Sequence, residues 1–275
     1  MRAKDKLKHL DVRPTRSRGQ SFLIDQTFIQ AILDFGQPKS GENLLEIGPG
    51  LGALTERLLE KGSLKVVEIE EKFCHDLKKR WPALDVICED ARQVDLSRFG
   101  PELVVFGNLP YAFSTEIVFH LIDHVGALKR AVLMLQREFA DRMAAKPGGR
   151  DYGVLSISTQ LWAEVTLGPI VPGTAFHPPV NVQSRVLELK FSPRPRFEVG
   201  EMSWFKKVVK AAFSSRRRML HNSLAGSGIA TLEQAEAALA ASGIDSTRRA
   251  ETLSIEEFAK LAAALGAILQ IMNSD

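Results

Sequence analysis

Short apolar runs alternate with amphipathic stretches from residue 43 onward, and this alternation constrains the fold more than any other feature of the sequence. Apolar runs of strand length that alternate with helical periodicity are typical of βαβ units, in which a parallel sheet is covered on both faces. We therefore predict an α/β domain built on a mostly parallel sheet. Its seven strands are expected at Leu44–Ile47, Leu64–Val67, Val86–Cys88, Leu103–Phe106, Ala131–Leu135, Glu164–Ile170 and Val186–Phe191.

Helices are expected between these strands and again after the Pro-rich segment 192–196, where the strand pattern stops. The spacing of apolar residues from Phe22 onward predicts a first helix that ends at Phe35. A Ser254/Glu257 capping box is expected to open the last helix. We divide the chain into a basic flexible arm (1–20), an α/β domain (21–195) and a small helical domain (196–275). The other helices are predicted near 53–60, 71–80, 114–123 and 137–145, and at Trp204–Ser214, Leu232–Ala241 and Ile255–Ile271.

The composition argues against several classes of protein. The chain has 275 residues and is 45% hydrophobic and 25% charged, which is usual for a globular protein with a buried core. No apolar run approaches the ~18 residues of a membrane span, and the basic N-terminus lacks the apolar segment of a secretory signal. Cys74 and Cys88 have the spacing of neither a metal site nor a disulfide framework. We therefore expect a cytoplasmic protein with two free thiols, no membrane association and a monomeric state.

Basic residues are concentrated in two regions, although the formal net charge is only +3. One region is the first twenty residues, and the other comprises Lys206, Lys207, Lys210 and Arg216–Arg218. Clustered Lys and Arg side chains neutralise phosphates and release counterions, which favours a nucleic-acid partner. Each cluster alone is equally consistent with a solvated basic surface.

A glycine-rich segment, Glu46–Thr55 (EIGPGLGALT), follows the first predicted strand. Glycines in such a turn allow the backbone to bend tightly and to approach a ligand closely. The spacing is G-x-G-x-G rather than the dinucleotide pattern G-x-G-x-x-G, and Pro49 removes an N–H group that a pyrophosphate could use. The segment therefore favours a ligand with little phosphate, such as S-adenosylmethionine, over NAD.

Acidic residues follow the next two strands, at the sheet edge where open α/β proteins bind ligands. Glu68 ends the second strand, so its carboxylate can accept hydrogen bonds from both ribose hydroxyls of an adenosine. Asp90 follows the third strand and can accept a hydrogen bond from the adenine amine. These positions predict a cofactor with an adenosine group.

The fourth strand leads into Asn108–Tyr111 (NLPY), the most informative stretch of the chain. The exocyclic amine of adenine is a poor nucleophile because its lone pair is delocalised into the ring. The side-chain carbonyl of Asn108 and the main-chain carbonyl of Leu109 can accept the two amine hydrogens and localise that pair. Pro110 restricts Leu109 to an extended conformation, and Tyr111 can stack on the base, a contact worth ~1–3 kcal/mol. Orientation and electrostatics can carry such a transfer, so we expect no strong general base and no metal.

The glycine-rich segment and the NLPY tetrapeptide together resemble those of the ribosomal RNA adenine dimethyltransferases, and most closely the KsgA type. The resemblance extends from Gly19–Leu23 to Gly243–Ser254, and its last portion favours this type over the methyltransferases of macrolide resistance. It implies a Rossmann-like domain that uses S-adenosylmethionine and releases S-adenosylhomocysteine, followed by a helical rRNA-binding domain. It also implies dimethylation of two adjacent adenosines near the 3′ end of small-subunit rRNA, with the immature small ribosomal subunit as partner.

The resemblance also implies roles for individual residues. Asn108, Leu109, Pro110 and Tyr111 match the site of the target amine, and Phe176 matches a second aromatic residue that sandwiches the adenine. Arg216, Arg217 and Arg218 are implied to contact rRNA phosphates. Cofactor contacts are implied for Ser21, Leu23, Gly48, Gly50, Glu68, Asp90 and Asn108.

This sequence departs from the family pattern at several positions. Ser21 stands where many members have Asn, which preserves a backbone contact but not a side-chain amide contact. Ala112 and Phe113 replace a more usual Asn-Ile pair, which reshapes the pocket floor. His177 interrupts a motif that often reads Phe-Thr-Pro-Pro, and we assign it no catalytic role.

Three other functions compete with small-subunit rRNA methylation. DNA adenine methyltransferases use a similar tetrapeptide and flip the target base out of a duplex, but no DNA-recognition domain is evident in this sequence. Large-subunit rRNA is a second alternative substrate. The third alternative is an assembly factor that acts mainly by binding, against which the intact NLPY and glycine-rich motifs argue.

Overall fold

The structure is a computed structural model that describes residues 3–12 and 21–272. Within these ranges the strands are β1 (Phe22–Leu23), β2 (Asn43–Ile47), β3 (Leu64–Val67), β4 (Asp85–Ile87), β5 (Leu103–Asn108), β6 (Leu128–Gln136), β7 (Ala163–Val171), β8 (Phe176–His177) and β9 (Ser184–Phe191). The α-helices are α1 (Ala3–His9), α2 (Gln26–Gly36), α3 (Thr55–Leu59), α4 (Glu71–Arg80), α5 (Ser114–Asp123), α6 (Arg137–Met143), α7 (Val154–Gln160), α8 (Met202–Ala212), α9 (Leu220–Gly226), α10 (Leu232–Ala241) and α11 (Ile255–Met272).

Seven strands form one sheet in the order β4-β3-β2-β5-β6-β9-β7. The pairs β4–β3, β3–β2, β2–β5 and β5–β6 are parallel, whereas β9 is antiparallel to both β6 and β7. The prediction of a mostly parallel, Rossmann-like sheet is therefore confirmed, and each predicted strand is present. The strand order reverses between β2 and β5, and α/β sheets bind ligands at the carboxyl ends of the strands beside such a point.

The central strands are apolar on both faces because helices cover them on both sides. Leu44 and Leu45 of β2, and Val104 and Val105 of β5, are fully buried. Consecutive buried residues, rather than alternating ones, are the pattern expected of parallel strands. The sheet therefore gives a fixed base for the loops at its carboxyl edge.

The described chain separates into two compact units. The first comprises residues 3–12, 21–140 and 163–193, and the second comprises residues 141–162 and 194–272. The second unit is helical, and residues 194–272 contain no strand. It differs from the predicted helical domain because it includes residues 141–162. The reason is a shared core, in which Tyr152 and Ile157 pack with Phe205, Leu239 and Phe258.

The predicted capping box at the start of α11 is present. The backbone N–H of Ser254 donates to Glu257 Oε2 at 2.8 Å, and the backbone N–H of Glu257 donates to Ser254 Oγ at 3.2 Å. Such reciprocal bonds satisfy two N–H groups that the first helical turn leaves without partners.

The N-terminal residues differ from the flexible arm that the sequence predicts. Residues 3–9 form α1, and Leu7 is buried against Phe22 and Phe73. Lys6 Nζ also donates to the carbonyl oxygen of Leu51 at 2.8 Å. An apolar side chain within a highly charged segment therefore helps to fix this helix. The rest of the predicted arm, residues 13–20, lies outside the described residues.

The first long helix begins later than the sequence predicts. Phe22 lies in β1, which pairs antiparallel with β8, and the helix itself begins at Gln26. Asp25 sets this boundary because its side chain accepts a hydrogen bond from the backbone N–H of Thr27, as an N-cap residue does.

Cys74 and Cys88 form a disulfide bond, so the expectation of two free thiols is wrong. Cys74 lies on α4 and Cys88 directly follows β4, and their Cα atoms are 6.1 Å apart although 14 positions separate them in the sequence. The helix packs along the strand that follows it, a tertiary contact that cysteine spacing does not reveal. Separately, no helix of the described chain has the length and apolar character needed to span a bilayer.

Candidate active site

A cavity of about 390 Å³ opens at the carboxyl ends of β2, β3, β4 and β5. This volume is within the usual range for small-molecule sites. The cavity brings together five segments that lie far apart in the sequence, around residues 21–23, 48–50, 68, 90 and 108. All seven residues predicted to contact the cofactor line it, namely Ser21, Leu23, Gly48, Gly50, Glu68, Asp90 and Asn108.

The glycine-rich turn forms one wall of this cavity. Gly48 and Gly50 have φ values of 67° and 52°, a left-handed conformation that glycine adopts readily and other residues rarely do. The N–H of Gly48 donates to the carbonyl oxygen of Val67 at 2.9 Å. A Cβ atom at Gly50 would lie only 3.0 Å from the ring of Phe22. The turn therefore leaves open the space that a ligand would fill.

Glu68 is held in the cavity wall by two backbone N–H groups. Its Oε1 accepts from Glu70 at 2.9 Å, and its Oε2 accepts from Gly50 at 3.0 Å. Burial raises the pKa of Glu68, and these hydrogen bonds partly offset that rise. A carboxylate fixed in this way still has lone pairs for a ligand hydroxyl.

Glu46 is a buried acidic residue of the cavity to which the sequence analysis gave no role. Its side chain is 2% exposed, and Thr55 Oγ1 donates to its Oε2 at 2.6 Å. Burial raises the pKa of Glu46 to about 8, so the group is largely protonated at neutral pH. The signal that could have identified it is a carboxylate within an otherwise apolar strand, which is rare unless the group has a function.

Arg92 and Phe113 also line the cavity, and of these two residues sequence reasoning missed Arg92. Arg92 binds both carboxylate oxygens of Asp90, and this contact is the main cause of a lowered pKa at Asp90. Phe113 is one of the departures from the family pattern, and its ring lies beneath the Arg92 guanidinium.

The tetrapeptide Asn108–Tyr111 begins at the last residue of β5 and is fixed by hydrogen bonds at several points. Asn108 Nδ2 donates to the carbonyl oxygen of Ser21 at 3.5 Å, so the amide oxygen is the atom left to accept. The N–H of Leu109 donates to the carbonyl oxygen of Met134 at 3.1 Å. Asn108, Leu109 and Pro110 all line the cavity, which places two predicted acceptors beside the cofactor wall.

The two aromatic residues predicted to stack on the target base do not line this cavity. Tyr111 is partly buried, and its hydroxyl lies 2.7 Å from Ser184 Oγ. Phe176 is 2% exposed within the core of the first unit, and it pairs with Leu23 across the short β1–β8 sheet. In this conformation the Phe176 ring has little surface to offer a base.

The three predicted RNA-contacting arginines, Arg216, Arg217 and Arg218, are exposed in the second unit. They are not equivalent, because Arg216 Nη2 donates to the carbonyl oxygens of Arg150 and Tyr152. Within the described ranges, no three or more His, Cys, Asp or Glu side chains are grouped as metal ligands.

Comparison with known proteins gives full-length matches. The family model for ribosomal RNA adenine dimethylase matches residues 13–266. The chain is 42% identical over 254 residues to ribosomal RNA small subunit methyltransferase A of Syntrophotalea carbinolica, covering 91% of this chain and 96% of the relative. It is 39% identical over 267 residues to the protein of the same name from Geobacter metallireducens, covering 94% and 97%.

Solved structures agree with these sequence matches. A dimethyladenosine transferase from Plasmodium falciparum has a TM-score of 0.77 at 25% identity, covering 90% of this chain and 98% of that one. The 23S rRNA methyltransferase ErmE shares the fold, with a TM-score of 0.69 at 22% identity over 89% of this chain and 99% of that one. The chain therefore belongs to the ribosomal RNA adenine dimethylase family and is an S-adenosylmethionine-dependent methyltransferase.

Proposed function

We propose that this protein transfers methyl groups from S-adenosylmethionine to the exocyclic amines of two adjacent adenosines near the 3′ end of small-subunit rRNA. The products are dimethyladenosines and S-adenosylhomocysteine. The observation that carries the proposal is the position of Asn108 and Leu109 in the wall of the cavity that also contains the glycine-rich turn, Glu68 and Asp90. The names of the relatives, small subunit methyltransferase A, support the choice of rRNA.

The residues of the cavity fit S-adenosylmethionine. Glu68 is suited to accept from the ribose hydroxyls and Asp90 from the adenine amine, while Gly48 and Gly50 leave room for the backbone to approach the ligand. Ser21 contributes its main-chain carbonyl, which already accepts from Asn108, so the loss of the family's Asn side chain leaves this contact intact. When bound, S-adenosylmethionine supplies an electrophilic methyl group on a sulfonium.

The tetrapeptide orients the target amine. Asn108 Oδ1 and the Leu109 carbonyl accept the two amine hydrogens and localise the nitrogen lone pair, which makes the amine a better nucleophile. Pro110 keeps Leu109 extended, and the Pro110 carbonyl is itself held by Phe113 N and Ser114 Oγ, each at 3.0 Å. Fixed acceptors of this kind stabilise a transition state without reorganisation.

Tyr111 and Phe176 are proposed to stack on the target adenine. Tyr111 is partly exposed and begins the short 3-10 helix Tyr111–Phe113, directly after Pro110. Phe176 can take this role only if its ring leaves the core cluster that includes Ile29 and Phe106. Because β1 and β8 pair over just two residues, separating them breaks few hydrogen bonds.

The helical second unit is proposed to bind rRNA through Arg217 and Arg218, with Arg216 contributing to the fold of this unit. We propose that the partner is the immature small ribosomal subunit, that the protein meets it in the cytoplasm and that it acts as a monomer. The arginine cluster supports a polyanionic partner because several Lys and Arg side chains together release counterions from phosphates.

The test is transfer of labelled methyl groups from S-adenosylmethionine to unmethylated small ribosomal subunits. Large-subunit RNA and duplex DNA are assayed in parallel, and immature and mature small subunits are compared. Label recovered as dimethyladenosine only from small-subunit RNA is the expected result. Label on large-subunit RNA or on DNA instead would assign the protein to one of those substrates.

The Asn108→Ala variant separates catalysis from a role in assembly that depends on binding. We expect it to lose methyl transfer while it retains its affinity for small subunits. If wild-type protein binds small subunits and S-adenosylmethionine but transfers no methyl group, the proposed function is wrong and an assembly role by binding is favoured.

A further inference from the structure

The phenol of Tyr111 is anchored at its far end by a buried serine. Tyr111 Oη and Ser184 Oγ are 2.7 Å apart, although 73 positions separate the two residues in the sequence. Ser184 has no exposed surface. A hydrogen bond to a buried hydroxyl fixes the direction of the tyrosine side chain more firmly than ring packing alone, since the bond is directional.

Ser184 itself has little freedom to move. It is the first residue of β9, where it pairs with Gln136 of β6 on one side and with Val171 of β7 on the other. The preceding residue, Gln183, is also held in place, because its carbonyl oxygen accepts a hydrogen bond from the backbone N–H of Arg137 at 2.9 Å. The serine hydroxyl therefore stands at a fixed point at the end of three adjacent strands.

Tyr111 is held from its backbone end as well. It follows Pro110, whose carbonyl accepts from the N–H of Phe113 and from Ser114 Oγ. Burial raises the pKa of the Tyr111 phenol, so the hydroxyl is protonated at neutral pH and can donate to Ser184. With both ends of the residue held, the long axis of the ring is fixed relative to Asn108 and Leu109. Because hydrogen bonds of a phenolic hydroxyl prefer the plane of the ring, the bond to Ser184 also restricts that plane.

We infer that Ser184 is a positioning residue for methyl transfer, which holds the Tyr111 ring in the plane where it stacks on the target adenine. The inference rests on the proposed function. It extends that function to a residue in the last strand of the sheet, which lies outside the cofactor cavity. Ser184 is not among the residues that line the cofactor cavity, and its hydroxyl contacts Tyr111, so its effect on the reaction passes through Tyr111.

The test is a double-mutant cycle with Ser184→Ala and Tyr111→Phe, measured by single-turnover methyl transfer. Tyr111→Phe retains the stacking ring and removes only the hydroxyl. We expect each single variant to lower the rate constant about five- to tenfold, as expected for one lost hydrogen bond. The double variant should be no slower than the slower single variant, because both substitutions remove the same interaction. The Kd for S-adenosylmethionine should not change in any variant.

A spectroscopic measurement distinguishes positioning from a general structural role. Small subunits reconstituted with 2-aminopurine at the target adenosine lose fluorescence when the base stacks on an aromatic ring. Ser184→Ala, assayed well below its melting temperature, should show weaker quenching at saturating protein than wild type, with a wild-type Kd for S-adenosylmethionine. If Ser184→Ala folds poorly, the same quenching is measured with Tyr111→Phe, which removes the same hydrogen bond.

Three outcomes would overturn the inference. The first is that Ser184→Ala shows the wild-type rate and the wild-type quenching. The second is that the rate effects of the two single variants multiply in the double variant. The third is that activity and S-adenosylmethionine binding are lost in parallel. Failure of the proposed function looks different, because the wild-type protein would then methylate no small-subunit RNA. If another RNA proved to be the substrate, the same cycle would be measured on that RNA.

Discussion

Arg92 binds both carboxylate oxygens of Asp90, with Nη2 2.6 Å from Oδ2 and Nε 3.0 Å from Oδ1. The same guanidinium lies 4.3 Å from the centre of the Phe113 ring. One side chain therefore joins the loop after β4 to the 3-10 helix Tyr111–Phe113. A carboxylate has about four lone-pair positions, so Asp90 retains the capacity to accept from an adenine amine while Arg92 fixes its orientation.

Replacing Arg92 should weaken binding of S-adenosylmethionine. In Arg92→Ala the Asp90 carboxylate loses the bidentate guanidinium and keeps only the hydrogen bond from the backbone N–H of residue 92. We expect the Kd to rise about five- to tenfold, as for one well-placed hydrogen bond. Arg92→Lys should fall between wild type and Arg92→Ala, because an ammonium cannot form the bidentate pair. Isothermal titration calorimetry measures the Kd. Arg57→Ala, which removes an exposed pair with Glu60, is the control, and an unchanged Kd in Arg92→Ala would contradict the argument.

Glu46 should make the unbound protein less stable as the pH rises. Burial raises the pKa of Glu46 in the folded state to about 8, from about 4.5 for an accessible carboxyl. The folded state binds the Glu46 proton more tightly than the unfolded state does. Protonated Glu46 therefore makes its full contribution to the free energy of unfolding below pH 4.5, and this contribution is lost as the pH rises towards 8. We expect about 3 kcal/mol of loss between pH 5 and 8 relative to Glu46→Gln, which can accept the Thr55 hydrogen bond without a charge. Urea unfolding of both proteins across this range tests the prediction, and parallel profiles would refute it.

Gly173 should tolerate no side chain. A Cβ atom there would lie 1.8 Å from the carbonyl oxygen of Val180, so the loop that follows Phe176 would have to move. We expect Gly173→Ala to lower the free energy of unfolding by ~1–3 kcal/mol and to reduce methyl transfer. Gly126→Ala is the matched control, because its Cβ would meet no atom within 4 Å. Equal melting temperatures for the two variants would show that the loop adapts at little cost.

The Cys74–Cys88 disulfide should be detectable by thiol titration. Protein unfolded without reductant should show no reactive thiol, and reduced protein should show two. Closing a loop of this length restricts the unfolded chain by about 3 kcal/mol, so Cys88→Ser should unfold at lower urea concentration than the oxidised wild type. Two reactive thiols in the untreated protein would mean that the bond does not form in solution.

The sequence predicts those features whose cause is local. The strands of the parallel sheet are apolar runs, and the glycine-rich turn and Asn108–Tyr111 are contiguous motifs, so each could be identified without a structure. Local patterns do not identify tertiary partners. The Tyr111–Ser184 and Cys74–Cys88 contacts each join separate elements, and α1 is held by the burial of Leu7 and by the hydrogen bond from Lys6 to Leu51. Periodicity shows that a residue is buried but not what it is buried against.

The three arginines of the second unit should separate into one that stabilises the fold and two that bind RNA. Arg216 donates to the carbonyls of Arg150 and Tyr152, so Arg216→Ala should lower the melting temperature of the protein. Arg217→Ala and Arg218→Ala should leave it unchanged and weaken rRNA binding instead. If Arg217 and Arg218 each contact one phosphate, each substitution makes the negative slope of log K against log salt shallower by about 1. Filter binding between 50 and 200 mM salt, the range over which such contacts are lost, measures that slope. A wild-type slope in Arg217→Ala and Arg218→Ala would exclude both residues as phosphate contacts, because a protein that loses such a contact must release fewer counterions.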